Sequence, residues 1–221
     1  HIKLAVDTDG DYTVQRVLVN GRRRRDFWVY NDGRFNRHKM VLAGAKSEIV
    51  VRVEWENGSE NRIEMNLADE GGKELTLAET FPAPADGGYW DKNWKYYASA
   101  VLTENEGLAR YKEPVHLTLG LYADRFTDPA REIRVVGIDP DSGVPEEVPC
   151  QVYGISTWDK FADEHCQPTT SVEVAFLADV PARTSKVYLV FYGNPNAQAP
   201  GYPTDLKVSG EGLGLTVENS Y

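Results

Sequence analysis

Residues 87–114, GGYWDKNWKYYASAVLTENEGLARYKEP, decide how the rest of the chain is read. Tyr89, Trp90, Trp94, Tyr96 and Tyr97 fall within nine residues, and a strand-like run at 96–103 follows them. The next segment, 104–112, is polar and contains Gly107, and an extended link then runs to Pro114. The stretch reads as the close of one β-domain and the start of another. The expected division is therefore 1–106, with the aromatic cluster at its end, and 107–221.

Working outward from that stretch, period-2 alternation recurs on both sides. Ile49, Val51, Val53 and Trp55 alternate with Val50, Arg52, Glu54 and Glu56, the pattern of a half-buried strand. Asn57-Gly58 is a hairpin-turn signal and leads into Ile63, Met65 and Leu67, which alternate with polar residues. Gly71-Gly72 makes the next turn, before Leu75 and Leu77. Residues 2–6, 12–19 and 27–30 read as earlier strands. Downstream, 117–121, 133–138, 148–153, 172–177 and 186–192 read as strands, and the loop at 154–169 is long, with one helical turn expected at 158–164. In 186–192 both sets of alternate residues are apolar, Val187, Leu189 and Phe191 against Tyr188, Val190 and Tyr192. Such a strand is expected at the centre of a sheet, covered on both faces. No long segment has a helical period, so the expected fold is all-β, two consecutive antiparallel β-sandwich domains.

At 221 residues and 41% hydrophobic, the chain is long and apolar enough to bury a core. With 24 Lys and Arg against 34 Asp and Glu, its net charge is -10. A duplex nucleic-acid partner is not expected, because phosphate binding needs a basic face. No apolar run approaches the roughly 20 residues of a membrane-spanning helix. Two cysteines, Cys150 and Cys166, form one bridge if the protein is exported and stay free thiols in a reducing compartment. Closing that short loop stabilises by about 3 kcal/mol in the chain-entropy model.

Several residue groups suggest chemistry. Asp7, Asp9 and Asp11 place three carboxylates where a hard cation such as Ca²⁺ could sit. The pattern departs from an EF-hand, since Gly10 falls too early and Leu18 stands at the bidentate Glu position, and a solvated hairpin loop explains it equally. Residues 22–25, four arginines in a row, suit either the carboxylates or sulfates of an anionic polymer or a solvated loop tip. Asn57-Gly58-Ser59 matches a glycosylation acceptor as well as a hairpin turn. Tyr89, Trp90 and Trp94, with Asp91, Lys92 and Asn93 between them, have the composition of a carbohydrate-stacking surface: flat rings bury the C–H faces of sugars and polar neighbours bond the hydroxyls. The competing reading is that these rings plug the domain junction. The four histidines share no metal-ligand spacing, and no nucleophile elbow, P-loop or dinucleotide fingerprint is present. Carboxylates are plentiful, but none is set apart as a glycosidase pair.

From Arg110 onward the runs YKEPVHLTL, REIRVVGIDPDSG, EEVPCQVY, VEVAFLADVPARTSKVYLVFYGNP and TDLKVSGEGLGLTVENSY resemble a β-sandwich region of large secreted bacterial polysaccharide-degrading enzymes, polysaccharide lyases or glycoside hydrolases. In those enzymes the region precedes a catalytic or super-sandwich domain. The resemblance implies an extracytoplasmic location (secreted, periplasmic or cell surface), a polysaccharide partner, and the remaining domains of the same polypeptide as further partners. It transfers no catalytic residue, because no catalytic motif is present to match. The expected function is a non-catalytic portion that positions or binds polysaccharide. The alternatives are a part of the active cleft of a lyase or hydrolase, and a cell-surface structural or adhesion module. Leu213, Leu215 and Val217 alternate with Gly214, Thr216 and Glu218. They read as a strand whose apolar face is covered from elsewhere, the opening strand of a further domain, or else as the last strand of the second sandwich.

Overall fold

The computed structural model describes residues 2–6, 10–24, 27–31, 34–36, 41–43, 47–51, 53–81, 89–139, 141–158 and 169–219. Its first ten strands are β1 (Ile2–Val6), β2 (Asp11–Val19), β3 (Arg22–Arg24), β4 (Phe27–Asn31), β5 (Arg34–Asn36), β6 (Val41–Ala43), β7 (Ser47–Val51), β8 (Trp55–Glu56), β9 (Asn61–Ala68) and β10 (Glu74–Phe81). They are followed by β11 (Tyr96–Thr103), β12 (Arg110–Tyr122), β13 (Arg134–Ile138), β14 (Pro145–Val148), β15 (Cys150–Trp158), β16 (Thr169–Val180), β17 (Ser185–Tyr192), β18 (Lys207–Ser209) and β19 (Thr216–Glu218). All the strand pairs are antiparallel. Among the described residues, helix is confined to α1 (Pro129–Glu132) and two single 3-10 turns, and no helix is long and apolar enough to cross a membrane. The chain is mostly β, as its alternation dictates.

Two sheets, in order β1-β7-β4-β5 and β10-β9-β2-β3, bury Leu4, Val29 and Ile49 from one and Val14, Val17, Ile63 and Leu67 from the other in a single apolar cluster. A second cluster draws on the sheets β14-β13-β17-β11-β8 and β12-β16-β15. The five-stranded sheet serves both clusters. In β17, Leu189 and Phe191 join the first, while Tyr188, Val190 and Tyr192 join the second. β13 divides the same way, Val136 against Val135. Over 188–192 the two-faced apolar pattern thus has the physical cause expected of it, since β17 is central and covered on both sides there, whereas Val187 near its start is exposed. Immediately after β17, Gly193 has a φ of 83°, and a Cβ there would meet the Tyr96 ring at 2.7 Å. The exit from β17 therefore requires glycine.

The structure departs from the sequence reading in three places. The alternating run 49–55 is not one strand. It passes from β7, paired with β1 and β4, to β8, paired with β11, so one burial rhythm serves two sheets. The arginine run is not a loop tip: Arg22–Arg24 pairs with β2 as an edge strand, and Arg24 is buried with its guanidinium 5.0 Å from the Tyr122 ring centre. Residues 154–158 continue β15 past an irregularity between Tyr153 and Ser156 instead of opening a loop. β11, which precedes the expected division at 106, pairs along its whole length with β17 from beyond it. Residues 159–164, where a helical turn was expected, lie outside the described residues.

Near the C-terminus, β18 and β19 form a two-stranded hairpin. Leu206, Val208, Leu213, Leu215 and Val217 in this segment are all exposed.

Phe191 is fully buried, with its ring 5.4 Å from Trp90 and 5.5 Å from Tyr97. Phe191→Ala is expected to cost about 3–5 kcal/mol in a denaturant titration. Val101→Ala, on the exposed face of neighbouring β11, should change stability by less than about 0.5 kcal/mol.

Candidate functional site

The aromatic turn at 89–97 is held by one side chain from the opposite hairpin. The Asn57 amide donates to the carbonyls of Asp91 (3.1 Å) and Trp94 (2.9 Å), and its oxygen accepts the Tyr89 N–H (3.2 Å). The Asn57 N–H also donates to the Lys95 carbonyl at 2.7 Å. An amide engaged in this way is not a free glycan acceptor, so the Asn57-Gly58-Ser59 signal is explained by the turn. Asp91 turns inward on its own loop, accepting from Asn93 N–H and Asn93 Nδ2, both at 2.8 Å. This local bonding is the reason an Asp two residues before an Asn shapes a turn.

Tyr89, Trp90, Asp91 and Trp94 are brought together, but in layers. Trp94 is buried, and its indole N–H donates to the Glu132 carbonyl at 2.6 Å. One side of it meets Trp90 at 4.9 Å, and the Arg134 guanidinium lies 5.5 Å from its ring centre. Arg134 is itself fixed by the carbonyls of Arg131 (2.6 Å), Ile133 (2.9 Å) and Gln198 (2.6 Å) and by Glu147 at 3.2 Å. Trp94 is therefore a wall of the core with no ring face to offer a ligand. Trp90 is half-buried between Trp94 and Phe191, and Tyr89 is the exposed ring, edge-on to Tyr97 at 5.4 Å. Burial, with Tyr89 next, raises the Tyr97 phenol, so it stays protonated and neutral. The surface left for a ligand is Tyr89, the outer part of Trp90 and the neighbouring Asp91.

Of the expected cation and disulfide residues, Asp11 and Cys150 are described. Asp11 opens β2 with an exposed side chain; Asp7 and Asp9, and with them the cation site, lie outside the described residues. Cys150 in β15 has its Sγ 3.9 Å from the Tyr202 hydroxyl, and burial raises its thiol. Cys166, and the pairing expected with it, lies outside the described residues.

Two polar centres were not legible in the sequence. At the meeting of the two clusters, Tyr192 is fully buried, and burial together with the adjacent Glu54 carboxylate raises its phenol well above its ordinary value. Arg125 lies over the Tyr96 ring at 3.9 Å in the same region, and its Nε has no hydrogen-bond partner among the described residues. The second centre is Glu104, a buried carboxylate that accepts backbone N–H groups from Arg183 (2.9 Å), Glu106 (2.8 Å), Gly107 (2.8 Å) and Leu108 (3.1 Å). Two turns distant in sequence are thereby tied to one carboxylate. No motif announces such a residue, because its Arg183 donor comes from beyond β16.

The chain matches no protein-family model, no curated protein and no solved structure.

The Arg183 N–H and then the three local amides outweigh burial and hold the Glu104 carboxyl below its ordinary 4.5. A carboxyl with a lowered folded pKa contributes stability above the unfolded value and loses it as pH falls through the folded one. Glu104→Gln should lower the melting temperature at pH 7, and the gap to the unsubstituted protein should narrow as pH drops below 4.5. Thermal melts at pH 7, 5, 4 and 3 would read this.

Proposed function

We propose that this chain is a non-catalytic part of a secreted bacterial polysaccharide-degrading protein, and that it positions polysaccharide for the rest of the polypeptide. The observation that carries the reading is the rigid aromatic surface at Tyr89 and Trp90. Its backbone is pinned by the Asn57 amide, Trp90 rests on buried Trp94 and Phe191, and Tyr89 meets buried Tyr97 edge-on. A stacking surface already held in place binds without the entropy loss of ordering loose side chains. The likeness of the 110–221 region to accessory β-sandwiches of such enzymes supports the same reading, as it supports a secreted or cell-surface location.

The architecture accompanying this reading is two consecutive β-sandwiches. Three sheets share the first apolar cluster, the sheet of β17 among them, two share the second, and β11 crosses the division between them. The exposed aliphatic side chains of the β18–β19 segment are consistent with packing against a further domain of the same polypeptide.

Affinity electrophoresis through gels containing a panel of neutral and acidic polysaccharides tests the reading. At least one polymer should retard the protein, and Tyr89→Ala with Trp90→Ala should weaken that retention about tenfold, the loss of one to two aromatic contacts. Retention unchanged by the double substitution would reject the aromatic surface. Release of new reducing or unsaturated ends by the purified chain would reject the non-catalytic reading.

A further inference from the structure

The outer face of the sheet β10-β9-β2-β3 carries a groove of about 320 Å³, away from the aromatic turn. It arises from an irregularity in β2. The β2–β9 register runs from Val14↔Leu67 to Arg16↔Asn66 and passes over Gln15. The extra residue breaks the alternation, so Gln15 and Arg16 are both exposed in succession. Arg16 faces Asn66, which faces Thr76 on β10, and the three are bonded in a row: Arg16 Nε donates to Asn66 Oδ1 and Asn66 Nδ2 to Thr76 Oγ1, each at 2.9 Å. Arg23 on the edge strand lines the same groove.

This row orients Arg16 while using only its Nε. Among the described residues its terminal nitrogens have no partner and are left to donate outward, and the Arg23 side chain makes no ion pair or hydrogen bond. Two other surface arginines meet carboxylates, Arg62 with Glu64 at 3.3 Å and Arg131 with Asp128 at 2.8 Å. Here one guanidinium is held by a neutral amide and a second is uncommitted, in a protein of net charge -10. Guanidinium N–H groups fixed in direction are suited to a planar carboxylate. Glu74 also lines the groove. Its charge opposes a bare inorganic anion, but its oxygens can accept hydrogen bonds from hydroxyls. The combination favours a ligand carrying both a carboxylate and several hydroxyls, and the volume lies within the range of small-ligand sites.

We propose that this groove binds a uronate unit of an acidic polysaccharide. Arg16 and Arg23 take the carboxylate, and Glu74 and Gln15 take the ring hydroxyls. The proposal rests on the polysaccharide reading above and assigns it a second contact point, separate from Tyr89 and Trp90.

The test uses the full chain and two probes, polygalacturonate and alginate, each beside its carboxyl-reduced neutral form, in affinity electrophoresis at low and high salt. At least one uronate polymer should retard the protein about tenfold more strongly than its reduced form, and less at high salt. Arg16→Gln and Arg23→Gln should each weaken that retention about tenfold, with Arg16→Lys intermediate. Both residues are exposed, so unchanged melting temperatures are expected and would confirm that the variants are folded. Equal retention of acid and reduced polymers, or a double Gln variant that binds like the original, would overturn the proposal. Retention of neutral polymers through Tyr89 and Trp90, with none of the uronate probes bound, would overturn the proposal and leave the polysaccharide reading standing. No retention of any polymer, acidic or neutral, would overturn both.

Discussion

The burial of β17 on both faces is the constraint on which the rest of the structure depends. Leu189 and Phe191 on one side and Tyr188, Val190 and Tyr192 on the other are all removed from water, and each set closes a different apolar cluster. Close-packed interiors transmit the position of such a wall to everything resting on it. The aromatic turn sits where it does because Trp90 and Tyr97 rest on Phe191. β11 is placed by pairing with β17 from Tyr96↔Tyr192 to Thr103↔Ser185. The exit is fixed too, because Gly193 admits the Tyr96 ring where a larger residue would collide.

The same wall explains how burial sorts the aromatic residues by role. Five rings close together in sequence look alike in composition, yet the fold gives them different tasks. Trp94 gives its N–H to Glu132 and one ring face to Arg134, so it holds the turn. Tyr89 is left at the surface. A stacking surface and a core plug are therefore not alternatives here, since the buried rings stiffen the exposed one. Sheet irregularity plays the corresponding part on the far face, where an extra residue at Gln15 sets Arg16 beside Asn66.

Much of the fold was legible because alternation records which face of a strand is dry. The strands at 2–6, 61–68 and 96–103, the Asn57-Gly58 turn and the two-faced character of 188–192 follow from local pattern alone. What stayed hidden depends on partners distant in the chain. The run 49–55 keeps its rhythm while changing sheets, because period 2 reports burial and not the neighbour that supplies it. Arg24 could not be distinguished from a solvated arginine until Tyr122 was placed beneath it. Asn57 was readable as a turn residue, but its grip on the carbonyls of Asp91 and Trp94 was not. Glu104 gave no signal, because its bonds are to backbone groups that any residue possesses.

If β17 is the shared wall, its amides should open only when the whole molecule does. Native-state hydrogen exchange across a low-denaturant series measures this directly. Amides at 188–192 are predicted to exchange with the free energy of global unfolding, and the most protected amides of β9 in the first cluster and β16 in the second should converge on the same value. Exchange of the β17 amides through a smaller opening, with β9 still protected at the global value, would contradict the account.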